Sequence, residues 1–377
     1  MKIAIDARFF GPEGTGIGKY TEKLIENLQK LDRKNEYHII LRKNNWHLFN
    51  PKADNFRKVL ADARWYSLKE QVLLPAVLTR VKPDLVHFTH FNIPLLYPGR
   101  FVVTIHDVTI SEFKSTSSSK LSPPIYFLKH VAYKSTINQA VKRAKKIFVP
   151  SNFTKKKICK AFKLPAEKVV ATYEAADEIF VQGKDKKVSP GRKKELLAKY
   201  GIKEPFIIYV GRATPHKNVR IILEALGLLK RKINFVHAVA IDIFVERLKK
   251  QAKELGVDNE YIAAGYVFNE DLVELLKLAE CFIFPSLSEG FGLPGLEAMA
   301  VGCPVVCSSI PVFKEVYGDA AAYFDPKNPK DVARHIESVV ESNELKQNLR
   351  EKGFKQVKKY SWEKLAKETL KGYEQLA

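Results

Sequence analysis

The residues of this chain best suited to chemistry lie in one short stretch, Ser288-Glu289-Gly290-Phe291-Gly292-Leu293-Pro294-Gly295-Leu296-Glu297. Gly290 and Gly292 let the backbone come close to a ligand, and Pro294 suits the first turn of a helix. Unpaired N–H groups and the positive helix end then converge on one point, which is how proteins hold phosphate. Two carboxylates, Glu289 and Glu297, flank that point. They repel phosphate but accept hydrogen bonds well from hydroxyls. Phosphate and hydroxyls together describe a nucleotide sugar.

Other stretches offer complementary groups. In Tyr209-Val210-Gly211-Arg212-Ala213-Thr214-Pro215-His216-Lys217-Asn218, two cations stand at a strand-to-helix junction. Arg212 can grip a diphosphate bidentately, and Lys217 can act as a point charge. His106 ends the run Val102-Val103-Thr104-Ile105-His106-Asp107, at the carboxyl edge where ligands bind in open α/β sheets. His87 and His90 have no ligand-like spacing and read as structural. Gly14-Thr15-Gly16-Ile17-Gly18 follows the first strand and opens a helix, without the G-x-G-x-x-G spacing. The second strand ends Leu41-Arg42-Lys43, with no acid for an NAD ribose. A glycine loop facing a ligand, an NADP site using Arg42, and a plain turn all stay open there. Gly265-Tyr266-Val267 can meet a nucleobase edge or face. No D-x-D occurs, and His and Cys are scattered, so no metal site is expected.

These residues need strands and helices to position them. Unbroken apolar runs alternate with helical patterns, the mark of parallel sheets covered on both faces. Strands are expected at Lys2–Ala7, Tyr37–Lys43, Leu85–Thr89, Phe101–Asp107, Lys146–Ser151 and Val169–Ala175. A polar stretch, Gly183 to Gly191, reads as a linker. The alternation then restarts with Phe206–Gly211, Phe235–Ile241, Tyr261–Val267, Cys281–Pro285, Pro304–Ser308 and Ala321–Phe324. The 377 residues fit two Rossmann-like domains, which are expected to face each other across a cleft. A mobile loop at the cleft mouth is expected at Ser115–Ser119. No 18-residue apolar run exists, Met1–Asp6 is expected to be a strand and not a signal peptide because Asp6 breaks its apolar stretch, and four cysteines without a CxxC pair fit reduced thiols in the cytosol.

The net charge of +21 is uneven. Residues 1–180 hold 31 Lys and Arg against 16 Asp and Glu, and the remainder hold 32 against 26. The first half therefore attracts anionic partners: lipid head groups, nucleic acid or phosphorylated substrates. Within it, Pro124–Lys163 sets apolar Ile125, Phe127, Leu128, Val131 and Ala132 among many lysines, a basic amphipathic pattern suited to an anionic membrane. A core-facing helix with a solvated basic face fits as well.

The chain resembles the family 4 retaining glycosyltransferases of GT-B fold. The resemblance runs from Ile5-Asp6-Ala7-Arg8 and Gly14-Thr15-Gly16-Ile17-Gly18 through Thr104-Ile105-His106-Asp107, Val149-Pro150-Ser151, Gly211-Arg212 with Lys217 and the Glu289-to-Glu297 signature to Ser361-Trp362-Glu363. It implies two facing domains, 1–180 with a returning helix 361–377 for the acceptor and 181–360 for the nucleotide sugar. Arg212 and Lys217 would hold the diphosphate, Glu297 the ribose hydroxyls and Glu289 the transferred sugar. Gly290, Phe291, Gly292 and Leu293 would line the donor loop, the last three through backbone N–H groups. His106 would sit beside the reacting sugar, Gly16 near the phosphate or acceptor, and Val267 at the base. The usual glycine turn after the second strand of the second domain is replaced by Ala238-Val239-Ala240-Ile241-Asp242-Ile243, so the backbone there is either displaced or rebuilt. Asn-Gly before Val-Asp is likewise absent, replaced by Glu174-Ala175-Ala176-Asp177.

The expected activity is metal-independent, cofactor-free transfer of a sugar, with mannose suggested by overall resemblance, to a glycan or lipid-linked acceptor. Retention by front-face attack is carried over from the family. The setting would be cytoplasmic or peripheral on the inner face of the plasma membrane. Arg64-Trp65-Tyr66 and the next helix are candidates for the acceptor side. Two other classes are weighed. A non-catalytic nucleic-acid binder explains the charge but not the two glutamates beside a phosphate loop, and basic-aromatic interleaving is missing. An NADP oxidoreductase is the third.

Overall fold

The computed structural model describes residues 1–107 and 123–377, and the side chains of 1–107 and 131–377. The chain forms two compact units, Met1–Glu174 with Ser361–Ala377, and Ala175–Tyr360. Among the described residues no helix is long and apolar enough to cross a membrane.

The first unit is built on a seven-stranded parallel sheet of order β3-β2-β1-β4-β5-β6-β7. Its strands are β1 (Lys2–Asp6), β2 (Glu36–Leu41), β3 (Phe56–Leu60), β4 (Leu85–Phe88), β5 (Phe101–Thr104), β6 (Ile147–Val149) and β7 (Val169–Ala171). β4, β5 and β6 are buried at every residue, as continuous Val, Ile and Phe runs require in a sheet covered on both faces. β3 was not legible in the sequence. As an edge strand it carries Arg57 and Lys58 and is half exposed, the usual protection of a sheet edge. Helices α1 (Thr15–Leu31), α2 (Leu68–Val81), α3 (Pro123–Arg143) and α4 (Asn152–Phe162) connect the strands. Ser67 caps α2 by accepting the Glu70 N–H, and Ser151 caps α4 by accepting that of Thr154, each bond satisfying a donor the helix leaves open.

The expected basic amphipathic surface over 124–163 divides. Ile125, Phe127 and Leu128 lie outside the described side chains, as the loop Ser115–Ser119 lies outside the described residues. Val131 and Ala132 are exposed on α3, as the expected apolar surface requires, whereas Ile137, Ala140 and Val141 further along α3 and Ile158 on α4 are buried.

The second unit has a six-stranded parallel sheet of order β10-β9-β8-β11-β12-β13. Its strands are β8 (Phe206–Val210), β9 (Asn234–Ala238), β10 (Tyr261–Gly265), β11 (Phe282–Phe284), β12 (Val305–Ser308) and β13 (Ala321–Phe324). The helices are α5 (Glu178–Gln182), α6 (Pro190–Tyr200), α7 (Arg220–Leu226), α8 (Ile243–Glu254), α9 (Asn269–Leu278), α10 (Leu293–Ala300), α11 (Pro311–Tyr317), α12 (Pro329–Glu341) and α13 (Asn343–Val357). α5 packs on α9 and α10, so the division falls ahead of residue 180. β9 stops at Ala238 and not at Ile241, because the Gly211 N–H to Ala238 carbonyl bond is the last between β8 and β9.

The last helix, α14 (Trp362–Glu374), returns to the first unit and lies along α1. Its Tyr373 hydroxyl is 2.5 Å from His87 Nδ1, and His87 Nε2 is 2.8 Å from Thr104 Oγ1. In each sheet the strand order reverses once, between β1 and β4 and between β8 and β11. Crevices outside such points are where open α/β sheets bind ligands.

Candidate active site

In the second unit the loops after β8 and β11, on either side of the reversal, are tied together. The Leu287 N–H donates to the His216 carbonyl at 2.8 Å. Lys217 Nζ lies 2.6 Å from Glu289 Oε1, and Ser286 Oγ donates to the same oxygen at 2.7 Å. One carboxylate oxygen thus fixes both a lysine and a serine, while Oε2 of Glu289 makes no hydrogen bond to the described residues. A lysine ammonium has three donors, so Lys217 keeps capacity for an anion.

Arg212 is held in a similar way. Its Nε and Nη2 donate to Asp242 Oδ2 at 3.1 and 2.9 Å, leaving most of its five N–H donors for other partners. Asp242 also caps α8, its Oδ1 accepting the N–H groups of Phe244 and Val245 at 2.9 and 3.2 Å. Burial pushes this carboxyl upward, but the Arg212 bond and the two N–H groups outweigh it and hold it below the usual range. The altered segment 238–243 is therefore a rebuilt turn in which an acid occupies the helix cap. Beneath it, His237 is buried. Its Nε2 faces the Gly211 carbonyl at 2.8 Å and its Nδ1 the Tyr261 hydroxyl at 2.9 Å. The carbonyl can only accept, which places the imidazole proton on Nε2. Burial pushes His237 down to about 4.

The glycine loop has internal reasons for some of its glycines. Gly292 has φ +99 and caps α10, and a Cβ there or at Gly295 would strike the Tyr317 hydroxyl, which donates to the Gly292 carbonyl. Gly292 is thus required by the loop's own packing, whatever approach to a ligand its smallness also allows. Gly290 and Phe291 are buried, Leu293 opens α10 half-buried, and Glu297 is buried one turn into that helix. After β10, the Val267 side chain points inward, so only its backbone is available to a base. Tyr266 and Phe268 beside it are exposed, with rings edge to face at 5.1 Å. Along the carboxyl edge of the sheet the order is Val267, Asp242, Arg212 with Lys217, then Glu289 with Glu297. The three strand spacings from β10 to β11 amount to roughly 14 Å, the length scale of an extended ligand.

In the first unit, His106 follows β5. Its Nε2 lies 2.9 Å from the Thr89 carbonyl, its Nδ1 3.5 Å from Glu174 Oε1, and the Tyr20 ring meets it edge-on at 4.7 Å. Gly16 stands one helical turn before Tyr20 on α1. A Cβ at Gly14 or Gly18 would collide with the backbone of Phe9 or Gly11, but at Gly16 it would meet open space. Gly14 and Gly18 shape the loop; Gly16 has no such packing reason. Arg42 contacts Glu13 at 3.2 Å and stacks over Trp65. His90 lies buried against Phe9 and Phe91. Arg8, fully buried, binds Asp6 through Nε and Nη2 at 2.8 Å each and Glu70 at 2.5 Å. Burial raises Glu70, and Arg8 and Asn92 only partly offset it.

Three site residues escaped sequence reasoning. Asp242 carried the signal of an acid just before a helix, and Ser286 sits two residues after β11. Glu174 reaches His106 from a distant part of the chain and had no local signal.

Two parallel-sheet units of this topology, with the paired acids, cations and glycine loop at the strand ends of the second, define a glycosyltransferase of GT-B fold. Residues 14–178 match the family described as Glycosyltransferase Family 4, and residues 192–356 match Glycosyl transferases group 1. Between them these two glycosyltransferase models span most of the chain. It is 29% identical over 382 aligned positions to O-antigen chain mannosyltransferase B of Escherichia coli, covering 96% of each chain. It is 26% identical to O-antigen chain mannosyltransferase RfbU of Salmonella typhimurium, covering 73% of this chain and 70% of that one. Anabaena HepE, solved in complex with UDP and glucose, shares the fold at a TM-score of 0.75 with 17% identity, over 100% of both chains.

Proposed function

We propose that this enzyme moves a sugar, mannose by analogy with its relatives, from a nucleoside diphosphate to a glycan or lipid-linked acceptor in envelope polysaccharide synthesis. The observation that carries this reading is the pairing of Lys217 with Glu289, beside Arg212 and the glycine loop, at one carboxyl edge. Arg212 and Lys217 take the diphosphate, with the N–H groups of Phe291, Gly292 and Leu293. Glu297 accepts the ribose hydroxyls. Oε2 of Glu289 accepts a hydroxyl of the sugar while Oε1 keeps Lys217 in place. The backbone of Val267 and the exposed Tyr266 ring serve the base. In the first unit Gly16 and His106, held by Thr89 and Glu174, serve the sugar and the acceptor.

The bond from the anomeric carbon to the phosphate oxygen breaks, and its electron pair leaves on the diphosphate. The acceptor oxygen bonds to the anomeric carbon, and its proton passes to the departing phosphate oxygen. Attack from the same face gives retention without an enzyme nucleophile. Fixed dipoles and two side-chain cations stabilise the leaving anion, so neither metal nor cofactor is required; one such donor is typically worth about 2.7–4 kcal/mol. Four free cysteines, three of them buried, fit a cytoplasmic setting. The test is release of nucleoside diphosphate from GDP-mannose and UDP-sugars with and without EDTA, with the product anomer read by NMR. NADPH turnover without sugar transfer, or loss of transfer in EDTA, would overturn it.

A further inference from the structure

Behind the glycine loop of the second unit stands Tyr317, the last residue of α11, fully buried. Its hydroxyl donates to the Gly292 carbonyl. The Gly295 N–H donates to the same carbonyl at 3.2 Å. A carbonyl oxygen has two lone pairs, so both are engaged and the Gly292–Leu293 peptide is held in one orientation. In a planar trans peptide the C=O and the N–H point opposite ways. The Leu293 N–H therefore faces away from Tyr317. As the first residue of α10, Leu293 has no acceptor for that N–H within its own helix.

Tyr317 is itself fixed from several sides. Its ring stacks on Phe313 at 5.1 Å, and Phe313 lies against Phe284 of β11 at 4.7 Å. Lys217 Nζ stands over the Phe284 ring at 5.8 Å. The stack thus runs from the glycine loop to one of the cations proposed for the diphosphate. The end of α11 is fastened as well. The Val316 carbonyl accepts Gln356 Nε2 at 2.6 Å and the Tyr360 hydroxyl at 2.9 Å, and the Tyr360 ring meets Phe291 of the loop edge-on at 5.7 Å. Burial, then Cys307 and Glu289 nearby, push the Tyr317 hydroxyl well above its usual range, so it stays protonated and donates. Phenylalanine would fill the same space with no hydroxyl to desolvate. The use of the hydroxyl therefore lies in the carbonyl it orients.

We propose that Tyr317 is a positioning residue for sugar transfer: its hydroxyl holds the Gly292–Leu293 peptide so that the Leu293 N–H meets the leaving diphosphate. The inference rests on the donor reading of the same loop. No bond is made or broken at Tyr317. The Leu293 N–H gains most where charge develops on the departing oxygen, so its misorientation falls on kcat more than on the donor KM. A tyrosine that only filled space would act on stability, or on donor binding, and would leave kcat alone.

The test compares the full chain with Tyr317→Phe, which removes only the hydroxyl, and with Gly295→Ala, which keeps the hydroxyl but drives a Cβ into it. Turnover of GDP-mannose and UDP-sugars gives kcat and KM. Inorganic pyrophosphate, a stand-in for the leaving group, is titrated by calorimetry and against the Leu293 amide signal of 15N-leucine-labelled protein. Tyr317→Phe should melt within about 2–4 °C of the wild type. Its kcat should fall about tenfold or more, with the donor KM changed less than about threefold. Pyrophosphate should bind it at least about threefold more weakly and shift the Leu293 amide less. Gly295→Ala should show the same loss of kcat at a lower melting temperature. An unchanged kcat in folded Tyr317→Phe overturns the proposal. So does a loss confined to KM, or a pyrophosphate shift at Leu293 equal in wild type and variant. No turnover of any sugar donor by the wild type sinks the donor reading and this role with it, whereas turnover that Tyr317→Phe leaves intact sinks the role of Tyr317 alone.

Discussion

At the scale of single residues, each cation proposed to take the diphosphate already has an acid partner: Lys217 has Glu289, and Arg212 has Asp242. The two pairs differ in surroundings. Lys217 and Glu289 are largely buried, whereas Arg212 is 62% exposed. Lys217→Ala removes a donor to the leaving group and strands Glu289, so transfer should slow by about 10²–10³-fold. Glu297→Ala should weaken donor binding, read as a raised KM or a lost thermal shift. Unchanged kinetics in both would overturn the site assignment. Asp242 presents a choice of sign. It orders Arg212, but an exposed ion pair is worth only about 0.2–1 kcal/mol. Its negative charge also repels the diphosphate. At roughly 6 Å that is about 0.7 kcal/mol in water and near 3 at an effective dielectric of about 20. Where bound donor displaces water and the effective dielectric falls to about 20, repulsion exceeds ordering, so Asp242→Asn should lower the donor KM several-fold. Asparagine caps helices as well as aspartate, so the melting temperature should hold. A raised KM would show that ordering of Arg212 dominates.

At the scale of elements, α14 is fastened by a buried histidine. His87 lies between Tyr373 and Thr104, and burial pushes its imidazole down to about 3. In the unfolded chain the same group titrates near 6.5. Between these values the unfolded state binds a proton that the folded state refuses, so stability is full above about pH 6.5 and falls as pH drops toward 3. From pH 7 to 5 this one residue should cost the first unit on the order of 2 kcal/mol. Urea midpoints at the two pH values check it, and His87→Gln should flatten the difference; an unchanged slope would exclude His87 as the source. Most strands were legible in the sequence because buried parallel strands are continuous apolar runs. β3 was not, because edge strands carry charge. The candidate site was legible where local spacing carries meaning, from Glu289 to Glu297 and from Arg212 to Lys217. It was illegible where the partner comes from elsewhere in the chain. Glu174 is 68 positions from His106, and nothing near either residue announces the other.

At the scale of the whole molecule, the proposed function assigns the donor to the second unit, and that assignment can be tested. The glycine loop of the first unit is largely accounted for by its own packing, since Gly14 and Gly18 are filled by neighbouring backbone. The loops of the second unit instead present cations and acids with capacity left for a ligand. A nucleotide sugar should therefore bind to the second unit first. At about 100 times its dissociation constant, a ligand adds about 2.7 kcal/mol to the state that binds it. In a unit of this size each kcal/mol moves the midpoint by roughly 2–4 °C, so GDP-mannose should raise the second unit's transition by about 5–10 °C. Hydrogen exchange resolves where that protection falls. Slowed exchange at 211–217 and 286–297, with α2 and β1 unaffected, is expected from donor alone. Protection confined to the loop Gly14–Gly18 and the end of β2 near Arg42, and elicited by NADPH, would instead place a dinucleotide on the first unit and end the sugar-donor reading.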